Sequence, residues 1–228
     1  MAFGNGPRIV TSGLVLSLDA GDRNSYVSGS SVWNDVSGNG KTGTLSNGPT
    51  FDTTNGGSIV FDGVDDYVAV AGSIILTQAT FLLWIKRNGL QVSYTGLMHS
   101  RGGTGGNVTG MNVDPSGQQG IGYHWNDTVT TYGWNSGLVI PESWSMIAIT
   151  VVSTFAIAYL VNQLGLRSAT NSVSHASTTL AALSLARDNT GSGRIFKGNI
   201  AGGLLYNRAL SATEVLQNYN AQKSRFGL

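Results

Sequence analysis

Apolar and polar residues alternate in short stretches along most of this chain. "LVLSLD" places Leu14, Leu16 and Leu18 on one face, a period of two that predicts a half-buried β-strand. "SIVFDG" and "DYVAV" follow with the same rhythm, and "ATFLLWIKR" (Ala79–Arg87) is apolar on both faces, as a central strand should be. "TGLMHS", "IGYHW", "TTYGW", "WSMIAITVV", "TFAIAYLV", "LSLAR" and "GNIAGGLLY" continue the series. Between them lie turn formers such as "SGNGK", "SNGP", "TNGG", "RGGTGGN", "DPSGQQG" and "NTGSG". The apolar run Met146–Val161 is rich in β-branched residues and interrupted by Ser153 and Thr154. It is short of the roughly 20 residues a helical span needs and reads as two buried strands meeting at that pair. One helix stands out: Ser211 precedes Glu214 by three positions, the spacing of a capping box, and Val215, Leu216 and Tyr219 follow as an apolar stripe.

About a dozen strands with Gly-rich turns and one short helix near the end predict an all-β sandwich or barrel. The composition agrees: 32 glycines in 228 residues and only 11% charged side chains, so Ser, Thr, Asn and Gly must supply the polar surface. A formal net charge of +1 with no basic run argues against nucleic acid as a partner. With no cysteine, disulfides, thiolate metal sites and thiol nucleophiles are excluded. The first residues show no basic segment followed by an apolar one, so neither a secretory signal nor membrane insertion is expected.

Candidate chemistry is sparse. In "FDGVDDYVAV", Asp62, Asp65 and Asp66 lack the alternation and terminal Glu of a calcium loop, and strand geometry would send Asp65 and Asp66 to opposite faces. A hairpin-like corner between two strands is the expectation there. In "LDAGDRNSY", Asp19, Asp22 and Asn24 gather oxygen atoms in one stretch, leaving a calcium loop and a plain polar loop as two readings. Glycoside hydrolysis needs two facing carboxylates, yet the only glutamates are Glu142 and Glu214 and no strand carries alternating acids; no enzyme is expected. His99, His124 and His175 share no local metal-ligand spacing and read as surface or satisfied side chains. The Gly-rich "GTGGNVTG" lacks the following helix a phosphate cradle needs and reads as a surface loop. In "GYHWN" and "TYGWN", Tyr123 with Trp125 and Tyr132 with Trp134 each share a strand face, and the segments are expected to pair as a hairpin. Exposed beside Asn126, these rings would stack on a glycan or partner; buried, they would be core.

The stretches "WNDVSGNGKTGTLSNGPTF", "GGSIVFDGVDDYVAV", "IGYHWNDTVTTYGWNSGLVIPESWSMIAITVVSTFAIAYL" and "GNIAGGLLYNRALSATEVLQNYNAQKSRFGL" resemble the concanavalin A-like, laminin-G-like jelly rolls, in particular those of tailed-phage structural proteins. The resemblance implies a jelly-roll β-sandwich of two antiparallel sheets, six or seven strands each, over 14–228, behind an N-terminal arm at 1–13. It further implies a non-enzymatic virion structural protein, a capsid decoration or tail component on the virion surface, assembled in the host cytoplasm. Other virion proteins and copies of itself would be its partners. Ile9 and Val10 of the arm would anchor it on neighbouring subunits. The alternative is a carbohydrate-binding module or adhesin, with calcium as the one cofactor to consider.

Overall fold

The computed structural model describes residues 7–102, 107–189 and 193–228. The loop read from "GTGGNVTG" falls partly outside these residues at 103–106, as does "NTGSG" at 190–192. Among the described residues the strands are β1 Leu14–Asp19, β2 Val32–Trp33, β3 Gly43–Ser46, β4 Thr50–Asp52, β5 Ser58–Asp62, β6 Tyr67–Val70, β7 Ile74–Leu76, β8 Ala79–Arg87 and β9 Gly96–Arg101. They continue with β10 Val108–Val113, β11 Ile121–His124, β12 Ser145–Val151, β13 Ala156–Asn162, β14 Gly165–Asn171, β15 Thr178–Leu180, β16 Leu183–Leu185 and β17 Lys197–Tyr206. Two helices complete the fold, α1 Val129–Tyr132 and α2 Ala212–Gln222.

An eight-stranded antiparallel sheet runs β14-β13-β12-β8-β17-β5-β4, with β1 paired to β17 off that path. A seven-stranded sheet runs β11-β10-β9-β16-β6-β3-β2, and β7 pairs with β15. This is the expected jelly-roll sandwich, with one more strand in the larger sheet than anticipated. Alternation fixes which side chains meet between the sheets. Phe81, Leu83 and Ile85 of β8 join Met98, Met111, Ile121, Leu183 and Leu185 in the inner core. Leu82 and Trp84 point the other way into a second apolar cluster. β8 is therefore apolar on both faces because both faces of its sheet are covered.

The outer cover is α2 and the segment after it. The capping box forms as expected: the Ser211 side chain accepts from the Glu214 amide and Glu214 accepts from the Ser211 amide. Val215 and Tyr219 are buried, but Leu216 faces outward and Asn218 takes the inward place. Asn218 Oδ1 accepts from the Val10 amide at 2.7 Å, and its Nδ2 donates to Tyr206 Oη at 3.0 Å. Val10 is thus buried in this same cluster, with Ile9 partly buried beside it. The two residues expected to anchor on neighbouring subunits are occupied within their own chain.

Three further expectations change. β5 and β6 lie in different sheets, so the corner at 62–66 is a crossing from one layer to the other rather than a hairpin. "TTYGW" forms α1 and a turn, not a strand. The segments "VTGMNV" and "GLRSATN" are strands that turn formers and polar residues concealed. The apolar run at 146–161 divides into β12 and β13 as expected. No helix among the described residues is long and apolar enough to cross a membrane.

Candidate functional site

Among the described residues no helix of α2's length covers the outer face of the seven-stranded sheet, and its polar residues converge at one end. In register across β9, β10 and β11 stand His99, Gly110 and His124. Gly110, at φ +141°, has no room for a Cβ against the Met98 and His99 backbone, and in its gap the two imidazoles meet edge to face at 5.1 Å. Beside them lies Asp188, 2% exposed. It accepts from Arg101 Nε at 2.6 Å, Arg101 Nη2 at 3.0 Å and Arg194 Nη1 at 2.9 Å, and its Oδ1 is 3.6 Å from His99 Nδ1. Burial works against its charge, yet the hydrogen bonds and charges of the two guanidiniums hold its carboxyl below the usual value.

The histidines are held neutral. Burial pushes His99 down to about 3 and His124 to about 4, because a charged ring there would lack the hydration it has in water. Neither ring nitrogen of His99 has a hydrogen-bond partner among the described residues, nor does His124 Nε2. His124 Nδ1 lies 3.3 Å from Asp127 Oδ1, within hydrogen-bond reach.

Above this floor is a hollow of about 260 Å³ lined by Tyr94, Arg101, His124, Asp127, Tyr132 and Arg194. Tyr132 stacks on His124 at 5.3 Å and Tyr94 meets the same ring edge-on at 5.8 Å. The Arg194 guanidinium lies over the Tyr94 ring at 4.7 Å. Tyr94 and Asp127 hold φ of 65° and 53°, a left-handed backbone that L side chains adopt at a cost of about 1–3 kcal/mol. Such strain persists where surrounding contacts over-determine it, and it clusters at working sites. Volume alone would favour the 580 Å³ hollow at Tyr26 and Phe51, but no acid or histidine lines that one.

The residues expected to form a stacking platform are not gathered into one. Tyr123 and Trp125 are each 1% exposed and point between the sheets. Tyr123 Oη pairs with His175 Nε2 at 2.9 Å, and Trp125 Nε1 donates to the Ala176 carbonyl at 2.6 Å. Trp134 packs edge-on against Tyr123, and Asn126 Nδ2 donates to the Ser177 carbonyl. Of that set only Tyr132 lines the hollow. The side chain of "GYHW" that lines the hollow is His124, on the opposite face from the two aromatics that flank it. All three histidines are buried, not superficial, and only His175 is fully engaged, by Tyr123 and the Val152 carbonyl.

The acidic candidates serve the backbone. Asp19 Oδ1 accepts from Arg225 and from the Gly21 amide, while Asp22 Oδ1 accepts from the Asn24 amide and side chain. Asp19 is thus paired with a guanidinium. Asp62, Asp65 and Asp66 do not diverge as strand neighbours would, because 63–66 is a bend; each offers an oxygen within 4.8 Å of the others. Asp66 is turned inward to accept from the Asp62 amide, and Asp62 accepts from the Val64 amide.

Residues 62–216 match the model of the Laminin_G_3 family, described as the concanavalin A-like lectin/glucanases superfamily. No curated protein matches the chain in sequence. Among solved structures, domain 4 of AbnA, a GH43 extracellular arabinanase from Geobacillus stearothermophilus in complex with arabinotriose, aligns with a TM-score of 0.66 at 20% identity, covering 92% of this chain and 98% of that one. Trypanosoma rangeli sialidase aligns at 0.67 and 15% identity over 96% of this chain, which spans only 35% of the sialidase chain. The receptor binding domain of botulinum neurotoxin type G aligns at 0.55 and 15% identity, over 92% of this chain and 51% of that one. At such identities these likenesses establish the fold alone.

Proposed function

Because the chain belongs to the Laminin_G_3 family of the concanavalin A-like lectin/glucanases superfamily, we propose that it is a non-catalytic glycan-binding domain whose ligand sits in the Tyr94–Tyr132 hollow. The observation that carries this reading is the lining itself. Two tyrosine rings offer apolar faces, two arginines and a histidine offer oriented polar groups, and Asp127 offers an acceptor. Sugar recognition asks for both kinds of surface: flat rings against the C–H faces and fixed donors and acceptors for the hydroxyls. The volume, just below the roughly 300 Å³ where drug-sized sites begin, suits one sugar ring.

Catalysis is not part of the proposal. Asp188 is locked between two guanidiniums, Glu214 is bound by Arg208 and Glu142 by Arg87. None of these carboxylates is placed to trade a proton across a glycosidic bond. The arabinotriose held by the arabinanase domain favours the carbohydrate reading over the virion role expected from the sequence resemblance. Attachment to a particle and self-association draw no support from these likenesses.

The test is a glycan array probed with the intact chain and with Tyr132→Ala, using Leu164→Ala as a distant control. The expected result is binding that falls about tenfold with Tyr132→Ala, since truncating a contact aromatic commonly costs more than 1 kcal/mol, and that is unchanged in the control. Binding indifferent to Tyr132 would place the ligand elsewhere.

A further inference from the structure

Resting on the glycan-binding reading, we infer that the sugar taken by this hollow is an acidic one, its carboxylate received by Arg101 and Arg194. The inference comes from the way charge is distributed. Two guanidiniums line the hollow, and one carboxylate, Asp188, lies beneath them. Asp188 is buried, whereas the Arg101 and Arg194 side chains remain 23% and 26% exposed. The other acid, Asp127, lines the same hollow but is 55% exposed, and its charge acts on Arg101 as well. The floor of the hollow therefore carries one positive charge in excess of what buried groups neutralise.

The unused donors have a direction. Asp188 takes Nε and Nη2 of Arg101 and Nη1 of Arg194. Among the described residues no side chain or carbonyl accepts from Arg101 Nη1 or from Arg194 Nε and Nη2. Arginine forks match carboxylates in geometry as well as charge. Asp188 fixes both forks from below and Tyr94 supports the face of Arg194, so their orientation is set before a ligand arrives, which reduces the ordering cost of binding. An incoming carboxylate would complete a quartet of two guanidiniums and two carboxylates.

Asp188 follows as a positioning residue. It sits where Arg187 and Asp188 lie directly over Gly96, whose Cβ would collide with the Arg187 carbonyl. The missing side chain at Gly96 is what lets this segment rest on β9 and hold its carboxylate under both arginines.

The experiment compares methyl glucuronoside, its methyl ester and methyl glucoside by titration calorimetry, with methyl 6-sulfoglucoside as a further arm. The intact chain is used throughout, alongside Arg194→Gln, Arg101→Gln and the distant control Arg23→Gln. The expected result is at least tenfold tighter binding of the glucuronoside than of its ester. That preference should weaken with added salt, vanish in Arg194→Gln, and persist in Arg23→Gln. Arg194→Gln leaves the Arg101–Asp188 pair in place, so it is the variant to rely on if Arg101→Gln lowers the melting temperature. Equal binding of acid, ester and glucoside would overturn the acidic specificity while leaving the glycan reading standing. Preference for the sulfated sugar over the carboxylate would overturn the carboxylate assignment. Preference that survives both arginine variants would overturn the site. Failure of every sugar to bind would overturn the glycan reading and this inference together.

Discussion

The two sheets treat their outer faces in opposite ways. Over the eight-stranded sheet Trp84 stacks on Phe226 at 4.2 Å and on Tyr219 at 5.4 Å, and its Nε1 donates to Gln222 at 2.8 Å. There Trp84 is covered and its polar tip has a partner. Over the seven-stranded sheet the corresponding positions hold His99, His124 and Asp188, with ring nitrogens that no described group satisfies. Buried polar groups without partners are costly, so a fold that could have sealed both faces sealed one and left the other polar. The closed face buries apolar area, and the other is where the proposed site lies.

Substitutions can test that division. Among single substitutions Trp84→Ala should have the largest effect: truncating a buried Trp costs about 3–5 kcal/mol, read as a lower urea midpoint. If the chain still folds at low temperature, glycan binding should persist, because Trp84 lies on the far side of the sheet. Acid should come next. The unfolded chain binds protons at the ordinary histidine value of 6.5, whereas His99 and His124 bind them only near 3 and 4 when folded. Their neutral forms thus contribute fully above pH 6.5, and that contribution is lost as pH falls from there toward 4. The slope is about 1.4 kcal/mol per histidine per pH unit. Melting temperature measured from pH 7 to 4 should fall accordingly, and His99→Leu should flatten the slope; an unchanged slope would mean the open face does not carry the acid sensitivity. Ser211→Ala removes the cap of α2 and should cost about 1 kcal/mol, visible in thermal melts with binding intact. Tyr132→Ala should cost the least stability, under about 1 kcal/mol, since the ring is only half-buried, yet it should be the one among these that weakens sugar binding.

The sandwich was legible because its signals are local. Alternation in "LVLSLD", the doubly apolar "ATFLLWIKR" and the Ser211–Glu214 spacing each report one strand or one turn, and neighbouring residues suffice to read them. The site was not legible, because it is assembled from β9, β11 and the segment before β17, which register alone brings together. His99 and His124 are separated by more than one loop in sequence and meet only across Gly110. In "GYHWN" the large rings drew attention to the wrong face of the strand: Tyr123 and Trp125 are conspicuous in sequence because the core needs their volume. The available clue was the histidine between them, a polar residue alternating with aromatics on a half-buried strand. The charge balance at Asp188 had no sequence signal, since both its arginines are unremarkable until the chain folds.

β17 lies between β8 and β5 in the middle of the larger sheet, yet it follows the other strands in the chain. During synthesis β5 and β8 are therefore made before the strand that both pair with, and their pairing cannot be completed until it emerges. Late insertion of a central strand means closing contacts of long sequence separation, which slows folding and leaves the β5 and β8 edges open to pairing with other chains meanwhile. The ten residues Lys197–Tyr206 act as the keystone of assembly, and a ribosome stalled before them would hold a chain prone to aggregation.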